Sequence, residues 1–249
     1  MDGNSNPTRT NKPSRLKDKA LLCLETSTAA GSVALVNRKG VLARSCRADP
    51  APHAKELFLT VKLLLDECHQ RPADLRGVAV AAGPGSFTGL RVAVSAGKTL
   101  AWSAGVPLFA VGSLEALAFG PAAWKVPVCA IFNAGQEEFY AGVYSRSEPE
   151  GPIQEIVAPG AFALDRLCAE LTGFKRVICL GEGFRALEKE LTACLGQRLE
   201  QVPSRYDLPD AALVGELVFT GLERYRVEDI FRFEPFYVRS SRAQLRLKV

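Results

Sequence analysis

The chain has 249 residues, of which 47% are hydrophobic and 23% are charged, as in ordinary soluble globular proteins. Its net charge of +4 is concentrated at the ends: residues 1–19 carry five basic and two acidic side chains, residues 239–249 carry four basic side chains and no acid, and the remainder carries −3. Neither a signal peptide nor a membrane span is predicted, because no apolar segment directly follows the N-terminal charges and the most apolar region, 92–124, is interrupted by charges, glycines and prolines.

The first half of the chain predicts a mixture of strands and helices. Short apolar runs bounded by turn residues indicate strands, and apolar residues at helical spacing indicate helices. In chain order these elements are strands at 20–25, 32–37 and 41–46, a helix at 54–68, a strand at 78–82, a helix at 90–104, a strand at 108–111 and a helix from Ser113.

The second half repeats this order. Its elements are strands at 128–132, 139–144 and 153–157, a helix at 161–171, a strand at 176–180, a helix at 184–194 and a last amphipathic helix at 210–225. A mixed unit of roughly 100 residues that occurs twice predicts two similar α/β lobes. Such a duplication is typical of two ribonuclease H-like lobes in the actin, sugar kinase and Hsp70 architecture, with a nucleotide cleft between the lobes.

The domain boundaries follow from this repetition. We expect a first, partner-binding lobe over 20–110 together with 207–238, and a second lobe over 111–206. Residues 1–19 are predicted to be a disordered basic tail, and 239–249 a basic C-terminal tail. Seven cysteines without a C-x-x-C pair, most of them in apolar runs, indicate reduced core thiols and a cytoplasmic protein.

The segment from Gly83 to Ala104 is the most informative one. A glycine-rich turn leads from a buried strand into a long helix whose only charges are Arg91 and Lys98, on one face with Ser95 and Trp102. The other faces are apolar or small. Such a helix is either the central core helix of one domain or a helix that a second molecule covers.

No arrangement of residues predicts a catalytic site or a metal site. Gly97-Lys98-Thr99 lies within a helix and lacks the glycine that a P-loop needs five residues earlier. The glycines at 83, 85 and 89 miss the dinucleotide-binding spacing by one residue. The two histidines, His53 and His69, lie sixteen residues apart, and neither has a second histidine four residues away.

Phosphate or nucleotide contact is predicted at the turns after the strands, where backbone N–H groups and hydroxyls can bind an anion. The candidate residues are Thr26, Ser27, Thr28, Gly83, Gly85, Ser86, Gly181 and Gly183. Asn133 stands where the second lobe of this architecture would have an aspartate for magnesium. We therefore expect no cofactor in the chain by itself, and ATP or ADP binding only weakly or at the interface of a complex.

Several motifs resemble those of the TsaB (YeaZ) family. They are Leu24-Glu25-Thr26-Ser27-Thr28, Gly31-Ser32-Val33-Ala34-Leu35, Gly83-Pro84-Gly85-Ser86-Phe87-Thr88-Gly89-Leu90-Arg91, Gly112-Ser113-Leu114 and Glu234-Pro235-Phe236-Tyr237-Val238-Arg239. The resemblance implies a non-catalytic subunit required for threonylcarbamoyladenosine formation in tRNA. It implies a heterodimer with the TsaD transferase, which this chain activates together with the TsaE ATPase, and contact with tRNA through the complex. An apolar helix face without its partner can pair with itself, so we expect a homodimer when the chain is isolated.

This family pairs through first-lobe helices. The resemblance therefore places the partner interface at Phe87, Gly89, Leu90, Ala93, Ala96, Gly97 and Leu100. Family members commonly carry an aspartate where Glu25 stands and Asp-Ala-Arg where Asn133-Ala134-Gly135 stands, and both departures disfavour nucleotide or magnesium binding. The alternative function is a stand-alone nucleotide-binding phosphotransferase or metalloprotease-like enzyme of the same fold.

Overall fold

The computed structural model describes residues 18–47, 54–121, 126–148 and 151–238. The tails expected at 1–19 and 239–249 therefore lie outside the described residues, except for Asp18 and Lys19, and so does His53. None of the helices in the described ranges combines the length and the hydropathy that crossing a membrane requires.

The first sheet has the order β3-β2-β1-β4-β5. Strand β2 runs antiparallel to both β1 and β3, whereas β4 and β5 run parallel to β1. The strands are β1 (Leu21–Glu25), β2 (Gly31–Asn37), β3 (Gly40–Arg47), β4 (Gly77–Ala81) and β5 (Leu108–Val111). Strands β1 and β4 are buried at every position, which explains their unbroken apolar sequences.

The second sheet repeats the first in order and direction. Its strands are β6 (Val128–Gly135), β7 (Glu138–Ser145), β8 (Gln154–Ala163), β9 (Val177–Leu180) and β10 (Leu199–Glu200). They are arranged β10-β9-β6-β7-β8, with β7 antiparallel to β6 and β8, and β9 parallel to β6 and β10. Two sheets with one shared topology confirm the prediction of two ribonuclease H-like lobes.

Helices cover both faces of each sheet. They are α1 (Ala54–Glu67), α2 (Phe87–Ala104), α3 (Ser113–Phe119), α4 (Leu164–Thr172), α5 (Glu182–Ala186), α6 (Glu188–Leu195), α7 (Ala211–Thr220) and α8 (Leu222–Tyr225). Helices α3 and α7 pack between the two sheets in one shared core. Helices α1 and α2 cover the outer face of the first sheet, and α4 to α6 cover the outer face of the second.

The structure corrects three predicted helix boundaries. Residues 161–163 belong to β8, because Ala161, Phe162 and Ala163 pair with β7, and this pairing overrides the helical propensity of alanine. The helix predicted at 184–194 is interrupted at Leu187, where the backbone leaves the helical region. The helix predicted at 210–225 is interrupted at Gly221.

After α8 the chain returns across the first lobe as the C-terminal strap, which we define as residues 226–238. Its backbone is bound at both ends, since the Val227 N–H donates to Leu108 O at 2.9 Å and the Phe236 N–H donates to Ala82 O at 2.7 Å. In between, Lys98 Nζ donates to the carbonyl oxygens of Phe231 and Phe233 at 3.0 and 2.9 Å. The strap therefore lies against one side of α2.

Candidate functional site

The turn after β1 and the start of α2 are packed directly against each other. Ser86 caps the helix by accepting the Gly89 N–H at 3.3 Å, so α2 begins at Phe87, three residues before the predicted start. The Thr26 hydroxyl donates to Gly89 O at 2.7 Å. A Cβ atom at Gly89 would lie 1.9 Å from Thr26 O, so only glycine fits there. A Cβ atom at Gly85 would lie 2.3 Å from Ser27 O.

The backbone donors of this turn already have partners inside the protein. The Ser27 N–H donates to the Glu25 carboxylate at 2.5 Å, and the Ser86 N–H donates to Ser27 O at 2.6 Å. The Gly83 N–H donates to the Ser113 hydroxyl at 3.0 Å. The structure thus brings the predicted phosphate-contact residues of the first lobe together, but it uses three of their amides for internal hydrogen bonds.

Glu25 is fully buried at the end of β1. Burial raises its pKa to about 7, against the opposing effect of the hydrogen bond from Ser27. Its second oxygen, Oε2, has no hydrogen-bond partner in the described structure. The carboxyl group therefore gains protons on folding at weakly acidic pH.

This shift predicts how stability changes with pH. An acid whose pKa is higher in the folded state stabilises the protein at low pH. For Glu25 this contribution is lost as the pH rises from the pKa of the unfolded chain, 4.5, through the pKa of the folded protein, about 7. Compared with Glu25→Gln, the unchanged protein should therefore lose up to about 3 kcal/mol of unfolding free energy between pH 5 and pH 8. Urea unfolding at both pH values measures the difference. Glu190→Gln, on the exposed surface of α6, is the control. An equal pH dependence of stability in the unchanged protein, Glu25→Gln and Glu190→Gln would contradict the raised pKa of Glu25.

The corresponding turn of the second lobe is also closed by packing. A Cβ atom at Gly181 would lie 2.2 Å from Ile131 O, and one at Gly183 would lie 2.8 Å from the side chain of Ile131. The Gly181 N–H donates to Asp207 Oδ1 at 3.0 Å, and Arg185 pairs with the other oxygen of Asp207. These glycines therefore allow α5 to pack against β6. Within the described ranges no three His, Cys, Asp or Glu side chains are grouped as metal ligands.

The predicted interface residues of α2 need correction. Leu90, Ala93, Ala96 and Gly97 are buried within the chain itself, and Ala93 is 0% exposed. A Cβ atom at Gly97 would lie 2.4 Å from Val80 Cγ1. The small residues thus bring α2 close to its own sheet, and apart from Ala96, which also lines a surface groove, they are not available to a partner. Phe87 is exposed, and Gly89 and Leu100 are partly exposed.

The exposed side of α2 forms a groove with α1, with a volume of about 470 Å³. It is lined by Phe58, Phe87, Thr88, Arg91, Val92, Ser95, Ala96 and Thr99. On the same two helices Leu59, Leu63 and Trp102 are 57%, 58% and 66% exposed. We call these eleven residues the α1–α2 face.

One edge of the α1–α2 face is ordered by the C-terminal strap. The Arg91 guanidinium lies 4.0 Å from the centre of the Phe87 ring, and Arg91 Nε donates to the Tyr237 hydroxyl at 3.2 Å. Phe231 contacts Trp102 edge to face at 6.4 Å. Sequence reasoning missed the contribution of α1. The available signal was Phe58, Leu59 and Leu63, which lie outside the apolar stripe that packs on the sheet.

These features first define a class: an actin-like α/β protein with two duplicated lobes and an exposed apolar face on the outer helices of the first lobe. A sequence-family model described as "TsaD: tRNA N6-adenosine threonylcarbamoyltransferase" matches residues 48–223. The chain belongs to this family, and its relatives place it with the TsaB (YeaZ) proteins.

The relatives are similar over part of their length. The chain is 34% identical over 137 residues to "tRNA threonylcarbamoyladenosine biosynthesis protein TsaB" of Bacillus subtilis, covering 55% of this chain and 59% of the relative. It is 32% identical over 132 residues to the Escherichia coli protein of the same name, covering 51% and 56%. The chain thus spans less than two thirds of these two relatives in the matched regions. The structure of YeaZ from Pseudomonas aeruginosa has 27% identity and a TM-score of 0.74, covering 88% of this chain and 99% of that one. The predicted family is confirmed.

Proposed function

We propose that the protein is a non-catalytic subunit for threonylcarbamoyladenosine formation in tRNA. In this proposal it pairs with the TsaD transferase and activates it together with the TsaE ATPase. The observation that carries the proposal is the α1–α2 face, because several large apolar side chains on two adjacent helices are left uncovered by the part of the chain that the structure describes.

The face has the composition of a protein interface. Trp102, Phe58 and Phe87 provide aromatic area, and Arg91 is held against an aromatic ring, so the residue types that dominate binding energy are present. The first lobe, 20–110 with 207–238, carries this surface, and the second lobe, 111–206, lies behind it. Without TsaD the same face is expected to pair with a second copy, giving a homodimer.

The closed turns support a subunit that holds no nucleotide by itself. The Ser27 N–H already donates a hydrogen bond to the Glu25 side chain, and the turn at Gly181 and Gly183 is packed against β6. A phosphate entering the first turn would have to break the hydrogen bond between the Ser27 N–H and Glu25, and it would repel the charged form of this buried acid. ATP or ADP is therefore expected to bind weakly or only at the interface of the complex.

Mixing the chain with TsaD tests the proposal. Size-exclusion chromatography with light scattering at about 10 μM of each protein is expected to show one species with the mass of a heterodimer or a larger complex. Two separate species would overturn the proposal. Titration calorimetry with magnesium-ATP tests the alternative function, a stand-alone nucleotide-binding enzyme. That function would require the isolated chain to bind magnesium-ATP with a Kd of about 10 μM or tighter, which is a binding free energy of about 7 kcal/mol.

A further inference from the structure

A charged groove follows α7 on the other side of the first sheet. It consists of two adjoining cavities of about 490 Å³ each, which share Gly120 and Glu216 in their walls. The hairpin of β2 and β3 forms one wall, and residues 119–120 with 205–208 form the other. Because α7 has ten residues, the groove is about 15 Å long. We call it the α7 groove.

Positive charge is concentrated in the α7 groove. Its walls contain two carboxylates, Asp210 and Glu216, and six basic side chains: Arg38, Lys39, Arg44, Arg47, Arg146 and Arg205. Residues 20–238 as a whole carry a net charge of −3. Six cations within one groove of an acidic body therefore form a local attraction for a polyanion.

The basic side chains are placed so that a ligand can engage them. Arg44 pairs with Asp210 at 2.9 Å, and Arg47, at the edge of the groove, pairs with Glu56 of α1 at 3.5 Å. Their side chains are 59% and 49% exposed, so these pairs contribute little and an incoming anion can compete for both arginines. Arg146 differs, because it is buried and donates to the carbonyl oxygens of Phe119 and Pro121 at 3.2 and 3.0 Å. It forms a rigid cationic part of the wall.

Two exposed arginines near opposite ends of the groove lie over aromatic rings. Arg38 lies 5.3 Å from the centre of the Phe219 ring, and Arg205 lies 4.9 Å from the centre of the Tyr206 ring. A guanidinium that lies over an aromatic ring is held there by cation–π attraction, and guanidinium and aromatic planes can both receive a planar ligand group. Nucleobases stack on such planes, whereas phosphates pair with the neighbouring cations.

From this combination of charge and stacking planes we propose that the α7 groove binds a single-stranded segment of RNA. The ligand class rests on the proposed function, in which the substrate of the complex is a tRNA. The α7 groove uses none of the turn residues 26–28, 83–86 or 181–183. The α7 groove and the α1–α2 face also lie on opposite sides of the first sheet. In β1, Leu21 and Cys23 pack in the core that contains α7, whereas Leu22 and Leu24 pack in the core that contains α1 and α2. The surface proposed for RNA and the surface proposed for TsaD therefore share no residue.

Charge reversal at both ends of the groove tests the proposal. Fluorescence anisotropy of a labelled single-stranded RNA is measured with the full chain and with the double variant Arg38→Glu/Arg205→Glu. The matched control is Lys189→Glu/Arg198→Glu, which changes the net charge equally at exposed positions of the second lobe outside the groove. We expect the groove variant to bind at least about tenfold more weakly, with a salt slope lower by about 1.4. The control is expected to stay within about twofold.

Three results would overturn the proposal: unchanged RNA affinity in the groove variant, an equal loss in both double variants, or displacement of the RNA by an acidic peptide of equal charge at the same concentration. Thermal unfolding of each variant shows that the fold is intact. Pairing of the same variants with TsaD is measured in parallel. Normal pairing with unchanged RNA affinity rejects the groove alone, whereas absence of pairing in the unchanged chain rejects the proposed function.

Discussion

Replacing Gly89 by alanine is expected to lower the free energy of unfolding by about 3 kcal/mol or more. The added Cβ atom would lie 1.9 Å from Thr26 O, which is a backbone atom and cannot rotate away as a side chain would. The turn after β1 and the first turn of α2 would have to separate. The hydrogen bond between the Thr26 hydroxyl and Gly89 O would then be weakened as well.

Urea unfolding measures this effect, with Gly173→Ala as the control. At Gly173, after α4, the nearest heavy atom to a new Cβ would be Glu170 O at 3.5 Å, an ordinary contact. The control should therefore leave the protein as stable as before or stabilise it by up to about 1 kcal/mol, because alanine restricts the unfolded chain more than glycine does. Equal urea midpoints for the two variants would mean that Gly89 does not lie as close to Thr26 O as described here.

Two glutamate substitutions only two residues apart on α2 should have opposite consequences. Ser95→Glu adds a charge on the exposed α1–α2 face, so the fold should remain intact while pairing with TsaD weakens by about 100-fold, because the charge would be desolvated in the interface. Ala93→Glu places a charge in a site that is 0% exposed, and it should cost more than about 4 kcal/mol of unfolding free energy.

Size-exclusion chromatography in the presence of TsaD measures the loss of pairing, and urea unfolding of the chain alone measures the loss of stability. Ser103→Glu is the matched control, since Ser103 is exposed on the same helix and does not line the groove. It is expected to leave both pairing and stability unchanged. If Ser95→Glu paired normally, the α1–α2 face would not be the contact surface. If Ala93→Glu were as stable as the unchanged chain, the buried placement of Ala93 would be incorrect.

Much of the fold was predictable because its signals are local in the chain. The strands at the centre of each sheet are short apolar runs between turn residues, and β5 was predicted at its observed bounds, Leu108–Val111. The repetition of one order of elements in both halves predicted the duplicated topology. The errors occurred where the state of a residue depends on a distant partner, as in β8, whose last three residues are held by pairing with β7.

The candidate site was predicted less well. Sequence motifs located the turn at Gly83 to Gly89, and the placement of Arg91, Ser95 and Trp102 on one face of α2 agrees with their exposure. The assignment of Ala93 and Gly97 to a partner interface was wrong. A smooth row of small residues permits close approach of any neighbour, and the sequence pattern does not distinguish the chain's own sheet from a second protein.

The amino-acid sequence by itself determined the two-lobed architecture, the family and the glycine turn that starts α2, because hydrophobic periodicity and turn chemistry act over a few neighbouring residues. Only the tertiary structure decided which side of α2 is covered, that Thr26 binds Gly89, and that basic residues from 38 to 205 line one groove along α7. These properties arise from contacts between segments far apart in the chain, and such contacts exist only after both lobes have folded.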